Sequence, residues 1–187
     1  MKNSRNALVA LLTLGTLAAS PCLAVAAVSV VRAFTFEKGT SEWHPVGPVK
    51  LRADSDNSYQ PNSLSLRAEG ESPAKEFSFA YSSDFKVDPG KNYQFGGAMN
   101  VESTSDPENH FAIYVIVDSV QGTSRKNVVS STFGVDKGPT KKWARVGGSF
   151  TAPNEGNLVG HFVIVKSKPT AIKAVVRLAD LKLELAQ

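Results

Sequence analysis

The chain is 187 residues long, 42% hydrophobic, 20% charged and 9% aromatic, with a formal net charge of +4. That balance excludes a disordered chain and a multi-span membrane protein, and the length suits one domain with a full hydrophobic core. Lys2 and Arg5 supply two of the net positive charges, which excludes a highly basic nucleic-acid binder, and the single cysteine, Cys22, excludes a disulfide framework.

Residues 1–26 read as a secretory signal peptide. Lys2 and Arg5 form a positive n-region, and the apolar run from Ala7 to Ala19 has a Leu-rich part of h-region length. Ala24, Val25 and Ala26 then set small residues where a signal peptidase reads, so cleavage is expected after Ala26. Pro21 precedes Cys22, which argues against lipidation at that cysteine. The uncharged stretch between Arg5 and Arg32 is long enough for an uncleaved anchor, but Pro21 and the small-residue cluster favour removal. The expectation is an exported protein, periplasmic or secreted, with no stable membrane insertion after cleavage. A mature chain without cysteine fits a bacterial envelope or medium.

From about residue 33 the pattern is one of short strands and turns, read as a single domain over 27–187. Phe34 and Phe36, then Leu64 and Leu66, then Phe77 and Phe79 each alternate with polar residues. Asp88-Pro89-Gly90-Lys91 makes a turn into a strand that carries Tyr93 and Phe95 on its core face. His110–Asp118 and His161–Lys166 are nearly continuous apolar runs, read as central strands covered on both faces. Leu181, Leu183 and Leu185 alternate with Lys182 and Glu184 at the end. Polar stretches at Arg52–Asn62, Glu69–Lys75 and Glu102–Asn109 read as surface loops. No segment holds a sustained 3.6-residue period with caps. Turn clusters recurring along the chain predict an all-β antiparallel sandwich of roughly eight to ten strands.

The order of these segments resembles the jelly-roll carbohydrate-binding modules of families four, nine and twenty-two. The resemblance rests on Phe36-Glu37-Lys38-Gly39 followed by Trp43, on Asn62-Ser63-Leu64-Ser65-Leu66, and on Val87-Asp88-Pro89-Gly90-Lys91-Asn92-Tyr93. It continues with Trp143-Ala144-Arg145-Val146 leading to Phe150, and with Ala179-Asp180-Leu181-Lys182-Leu183, spanning about residues 33–185. The resemblance implies jelly-roll topology and a non-catalytic protein that holds a poly- or oligosaccharide on a concave sheet face. It also implies that Trp43 and Trp143 are structural. A structural calcium ion is a further implication, with Glu37 and Asp180 as ligands; Ala179 stands where the family's other aspartate would lie.

The residues themselves suggest which side chains a sugar would use. Pyranose C–H faces stack on aromatic rings while amides and carboxylates bond hydroxyls. Tyr114 alternates with a core row of Phe111, Ile113, Val115 and Val117, so it shares a strand face with Asp118. Gln94 and Asn100 are expected on that same sheet face, with Tyr59 and Tyr81 near loops as further candidates. Lys166, Lys168, Lys173, Arg177 and Lys182, with Lys141, Lys142 and Arg145 just before them, ordinarily form a solvated face; if clustered, they would favour uronate-rich or sulfated glycans, or an anionic envelope surface. Asp54, Asp56 and Ser58 space oxygens as in a calcium loop, but Tyr59 and Ser65 occupy the positions that need glycine and glutamate. The three histidines show no metal-binding spacing, and there is no G-x-S-x-G turn, so an enzyme is not expected. The competing reading is a stand-alone envelope or secreted sandwich that binds a protein partner or acts structurally. The concave face discriminates: a polar groove with one or two exposed tyrosines suits glycans, a flat apolar patch suits a protein, and a face filled by large aliphatic side chains suits neither.

Overall fold

The computed structural model describes residues 29–134 and 141–186. The predicted signal peptide, its cleavage site and Cys22 lie outside the described residues. Twelve strands are present among them. They are β1 (Ser29–Phe34), β2 (Trp43–Pro45), β3 (Val49–Asp54), β4 (Ser65–Ser72), β5 (Ser78–Ser82) and β6 (Phe85–Val87), then β7 (Asn92–Thr104), β8 (Phe111–Gln121), β9 (Ser124–Gly134), β10 (Ala144–Thr151), β11 (Leu158–Lys166) and β12 (Ile172–Leu185).

The strands form two six-stranded antiparallel sheets. The first runs β10-β7-β12-β4-β3, with β1 also on β12; the second runs β2-β5-β11-β8-β9, with β6 also on β11. β12 is long enough to take β4 along residues 172–178 and β1 along 181–185. β11 does the same with β5 and β6. β7 lies in the first sheet and β8 in the second, where β8 pairs with β9. The predicted all-β sandwich is what the chain forms.

The core sits between the sheets and is built by alternation. Tyr93, Phe95, Met99 and Val101 face in from β7, and Phe111, Ile113, Val115 and Val117 face in from β8. Phe162 has no exposed surface, and its ring meets Phe34, Phe85 and Phe95 at centroid distances of 5.3 to 6.0 Å. Burying such side chains removes roughly 25 cal/mol per Å² of apolar surface from water and is the main force holding the layers together.

Three sequence expectations are corrected. Phe79 is core, but Phe77 is 52% exposed, because β5 begins only at Ser78 and Phe77 escapes the strand's alternation. The run in β8 is covered on one face only: Ala112, Tyr114 and Ile116 are half-exposed on the other. The charged stretches at Arg52, Glu69 and Glu102 lie partly within β3, β4 and β7. There they face away from the core, where a strand carries charge without penalty.

One extra residue in β12 keeps the pattern intact. Its core-facing residues are Ile172, Ala174, Val176 and Leu178, then Leu181 and Leu183, a shift from even to odd. Asp180 and Leu181 together oppose Gly97 across the ladder, and Asp180 takes φ of 50°. This bulge resets the face of the last turn of strand. Gly97 leaves the room: a Cβ there would lie 3.0 Å from the Ala179 carbonyl oxygen.

Candidate functional site

The outer face of the second sheet carries the strongest constellation. Outward positions on adjacent strands align in rows, so Tyr81 on β5, Val163 on β11 and Tyr114 on β8 are cross-strand neighbours. Tyr81 and Tyr114 are thus two strand spacings apart, about 9–10 Å. Tyr81 is 41% exposed and its ring lies 5.2 Å from that of His44. Tyr114 is half-buried in a groove whose walls include Phe77, His110, Ile116, Ser130 and Lys166. The face therefore presents three rings open to solvent, from Phe77, Tyr81 and Tyr114, between hydroxyl and imidazole groups. Phe77 is the residue that sequence reasoning missed. Its signal was the polar stretch before it, which delays the start of β5.

A polar cluster closes the other end of the same face. His161 lies beside Ile116 in the row next to Tyr114, and its Nδ1 stands 3.9 Å from Asp84 and 4.0 Å from Asp118. Asp84 accepts two hydrogen bonds from the Arg125 guanidinium, at 2.5 and 3.1 Å. That pairing holds the Asp84 carboxyl below the usual carboxylate range, against the opposing effect of burial. Burial pushes the His161 imidazole down, only partly opposed by the Asp118 and Asp84 carboxylates, so the ring is neutral at pH 7. Asp118 is only 8% exposed, so it meets the surface by one edge.

The remaining expected residues lie elsewhere. Gln94 and Asn100 do not share a face with Tyr114, which corrects the expectation. β7 belongs to the first sheet, whose outward side chains point to the opposite side of the sandwich. Gln94 is exposed there and donates from Nε2 to Glu184 at 3.3 Å. Asn100 is fully buried, and its amide has no partner among the described residues. Tyr59 lies in the β3–β4 connection over that same first sheet, its ring 5.5 Å from that of Trp143.

That connection is clamped down by charge. Arg177, 2% exposed, donates to Glu102 at 2.5 Å, to Asp54 at 3.2 Å and to Ser65 at 3.3 Å. Arg67 and Asn57 both reach Glu102 at 2.9 Å, and the Trp143 indole donates to the Asn57 carbonyl at 3.1 Å. Burial raises the Glu102 and Asp54 carboxyls, but their hydrogen bonds and the facing guanidinium groups outweigh it and leave both below their ordinary values. Trp43, in contrast, is buried with its indole N–H unpartnered.

The expected calcium pair does not form a carboxylate cage. Asp180 is occupied by a hydrogen bond from Gln60 at 2.7 Å, and Glu37 is exposed beyond the end of β1. Among the described residues no group of three or more His, Cys, Asp or Glu side chains is arranged around a common point. A hard cation needs six or more oxygens, and these residues do not fit one by side chains alone.

Comparison with known proteins places this geometry. A family model described as a carbohydrate binding domain (CBM_4_9) matches residues 28–171. A search of curated proteins finds no match. Among solved structures, the chain is similar to the CBM22-1 xylan-binding domain from Paenibacillus barcinonensis Xyn10C, with 16% identity and a TM-score of 0.58. That match covers 86% of this chain and 97% of the other. A structure titled "CBM4 structure and function" aligns with 12% identity and a TM-score of 0.54, over 81% of this chain and 97% of the other. The CBM22-1–GH10 modules of Clostridium thermocellum Xyn10B, complexed with xylohexaose, align with 14% identity and a TM-score of 0.58. There the match covers 85% of this chain but only 29% of that longer protein. At such identities the structures speak to the fold, and the family model speaks to descent: the chain belongs to the carbohydrate binding domain family of jelly-roll modules.

Proposed function

We propose that the protein is an exported, non-catalytic carbohydrate-binding protein that holds a poly- or oligosaccharide on the outer face of the β2-β5-β11-β8-β9 sheet. The observation that carries this reading is the row of open rings on that face. Tyr114 stacks on one pyranose, and Tyr81 and Phe77 flank it at the scale of a disaccharide. Ser130, His110 and the edge of Asp118 offer hydrogen-bonding partners for hydroxyls. A groove with rings and polar walls is what a glycan needs, whereas a protein partner favours a flatter apolar patch.

Hydrolysis is not part of the proposal. Asp84 and Asp118 flank His161, yet Asp84 is tied to Arg125 and its carboxyl is held ionised. Asp84 is thus not set up as the proton donor that glycoside cleavage requires. Export rests on the charge and hydropathy of residues 1–26.

A glycan array tests the central reading. Saturable binding to one glycan class, lost in Tyr114→Ala, supports it. A blank array from a folded, monodisperse sample overturns it in favour of a protein partner. Thermal melting with calcium and with a chelator tests Glu37 and Asp180: a saturable rise in Tm with calcium that is lost in Glu37→Ala/Asp180→Ala would assign them an ion. N-terminal sequencing of the exported protein tests cleavage after Ala26.

A further inference from the structure

The first sheet carries a second groove that the proposed sugar face does not use. Its floor is Gly96 and Gly97 of β7, and the flanking Ala98 and Ala179 are fully buried. No side chain larger than a methyl group stands outward on this floor. Arg145 rises from β10 opposite Ala98, and Lys182 from β12 opposite Gly96, so the two cations stand on either side of β7. Two strand spacings, about 9–10 Å, separate their strands. Tyr59 forms the end wall, its half-buried ring held against Trp143, which is itself tied to the Asn57 carbonyl. The wall is therefore pre-set by the Arg177–Glu102–Asp54 clamp beneath it.

The groove is lined by two cations and two carboxylates, and these do not pair with one another. Asp180 accepts instead from the Gln60 amide at 2.7 Å, and Glu184 from the Gln94 amide at 3.3 Å. Arg145 and Lys182 are exposed and make no hydrogen bond or ion pair among the described residues. A floor that admits a flat ring, an aromatic wall and two uncommitted cations across the floor suit a sugar that itself carries a carboxylate. A neutral sugar takes only hydroxyl hydrogen bonds from these cations, whereas a carboxylate also answers their charge. Arg145 fits a carboxylate in a two-pronged hydrogen bond, with Lys182 as a second point charge.

We propose that this groove is a second saccharide site, selective for acidic sugars of the uronate class, on the opposite side of the sandwich from Tyr114. Ring stacking on Tyr59 positions the sugar, and Arg145 with Lys182 reads its carboxylate.

The test is calorimetric titration of the purified protein with trigalacturonate. Its neutral counterpart, trigalactoside, serves as the control ligand. Four variants accompany it: Arg145→Ala/Lys182→Ala, Tyr59→Ala, Tyr114→Ala and, as a control for loss of a cation elsewhere on the sheet, Lys50→Ala. Lys50 is exposed on β3 of the same sheet, away from the groove. The expected result is that the double variant weakens trigalacturonate about tenfold or more, through loss of two charge-assisted contacts. Tyr59→Ala should weaken it as well, Lys50→Ala and Tyr114→Ala should leave it unchanged, and raising salt should weaken it. Equal binding of the neutral trisaccharide overturns the selectivity. Absence of measurable trigalacturonate binding, or loss of binding in Tyr114→Ala with the double variant unaffected, overturns the second site. Because the array assay reads the Tyr114 face separately, failure of either site is distinguishable from failure of the other.

Discussion

Tyr114, Tyr81 and Phe77 reach the same face of the molecule by different local routes, Tyr114 and Phe77 in one groove, and this decides what each substitution does. Tyr114 is outward because its strand neighbours are core, a pattern read directly from alternation with Ile113 and Val115. Tyr81 is outward because a bulge lets both Phe79 and Ala80 face the core, and alternation resumes after it. Phe77 is exposed because it precedes the strand. Alanine at Tyr114 should lower glycan affinity about tenfold or more while shifting Tm by only a few degrees, since part of the ring is already in water. Phe77→Ala should do the same with an even smaller change in Tm, because 52% of its surface is already exposed. Isothermal titration with the array-selected glycan, beside thermal melting, checks both. A large Tm drop with unchanged affinity would make these rings structural and remove them from the site.

The strands of this molecule depend on a few positions where backbone and packing leave one solution. Asp180 adopts a left-handed conformation that costs an ordinary side chain roughly 1–2 kcal/mol, and less for Asp, Asn or Gly. Asp180→Gly should therefore be close to neutral, and Asp180→Val should destabilise by about that amount or more in urea unfolding. Deleting Asp180 would instead place Leu181 and Leu183 on the outer face, and the chain should not fold. Gly160 on β11 sits under the Phe85 ring, where an added Cβ would come within 2.4 Å of it. Gly160→Ala should move β6 and lower stability by roughly 1–3 kcal/mol, as overpacking does. An unchanged urea midpoint for Gly160→Ala would show that β6 is looser than its packing indicates.

At the scale of the whole molecule, stability is divided between one aromatic core and one charged clamp. Phe162→Ala removes the ring that joins Phe34, Phe85 and Phe95 and should cost about 3–5 kcal/mol, measured by denaturant unfolding. The clamp gives a pH dependence whose sign follows from its shifted groups. Glu102, Asp54 and Asp84 titrate below their ordinary values in the folded state, so their contribution is complete above the ordinary carboxylate range. It is lost as pH falls through the lowered values. His161 is also lowered, so folding favours its neutral form, and that contribution declines once pH drops below the ordinary histidine value of 6.5. Melting temperature should therefore decline shallowly below about pH 6.5 and steeply below about pH 4. Glu102→Gln should lower Tm at pH 7 and flatten the acid limb; an unchanged acid limb would show that the clamp contributes nothing to stability.

What the amino-acid sequence determined by itself was local and periodic. Alternation in Phe111–Val117 and Leu181–Leu185, and the Pro89–Gly90 turn into Tyr93, followed from side-chain direction along a strand. They were enough for an all-β sandwich and for Tyr114 on an outward face. The resemblance carried by Trp43, the Pro-Gly-Lys turn and the final Asp180 segment pointed to the family. Tertiary structure decided which outward faces coincide. Gln94 and Asn100 were legible as outward on β7, yet β7 and β8 pair into opposite sheets, and alternation says nothing about which sheet a strand joins. It likewise decided that Asn100 is covered, fully buried beside the ion pairs that join residues as distant as Asp54 and Arg177. Strand periodicity is a property of consecutive residues. Sheet membership and the covering of a face are settled by long-range pairing, and so only the folded chain could divide the candidate residues between its two grooves.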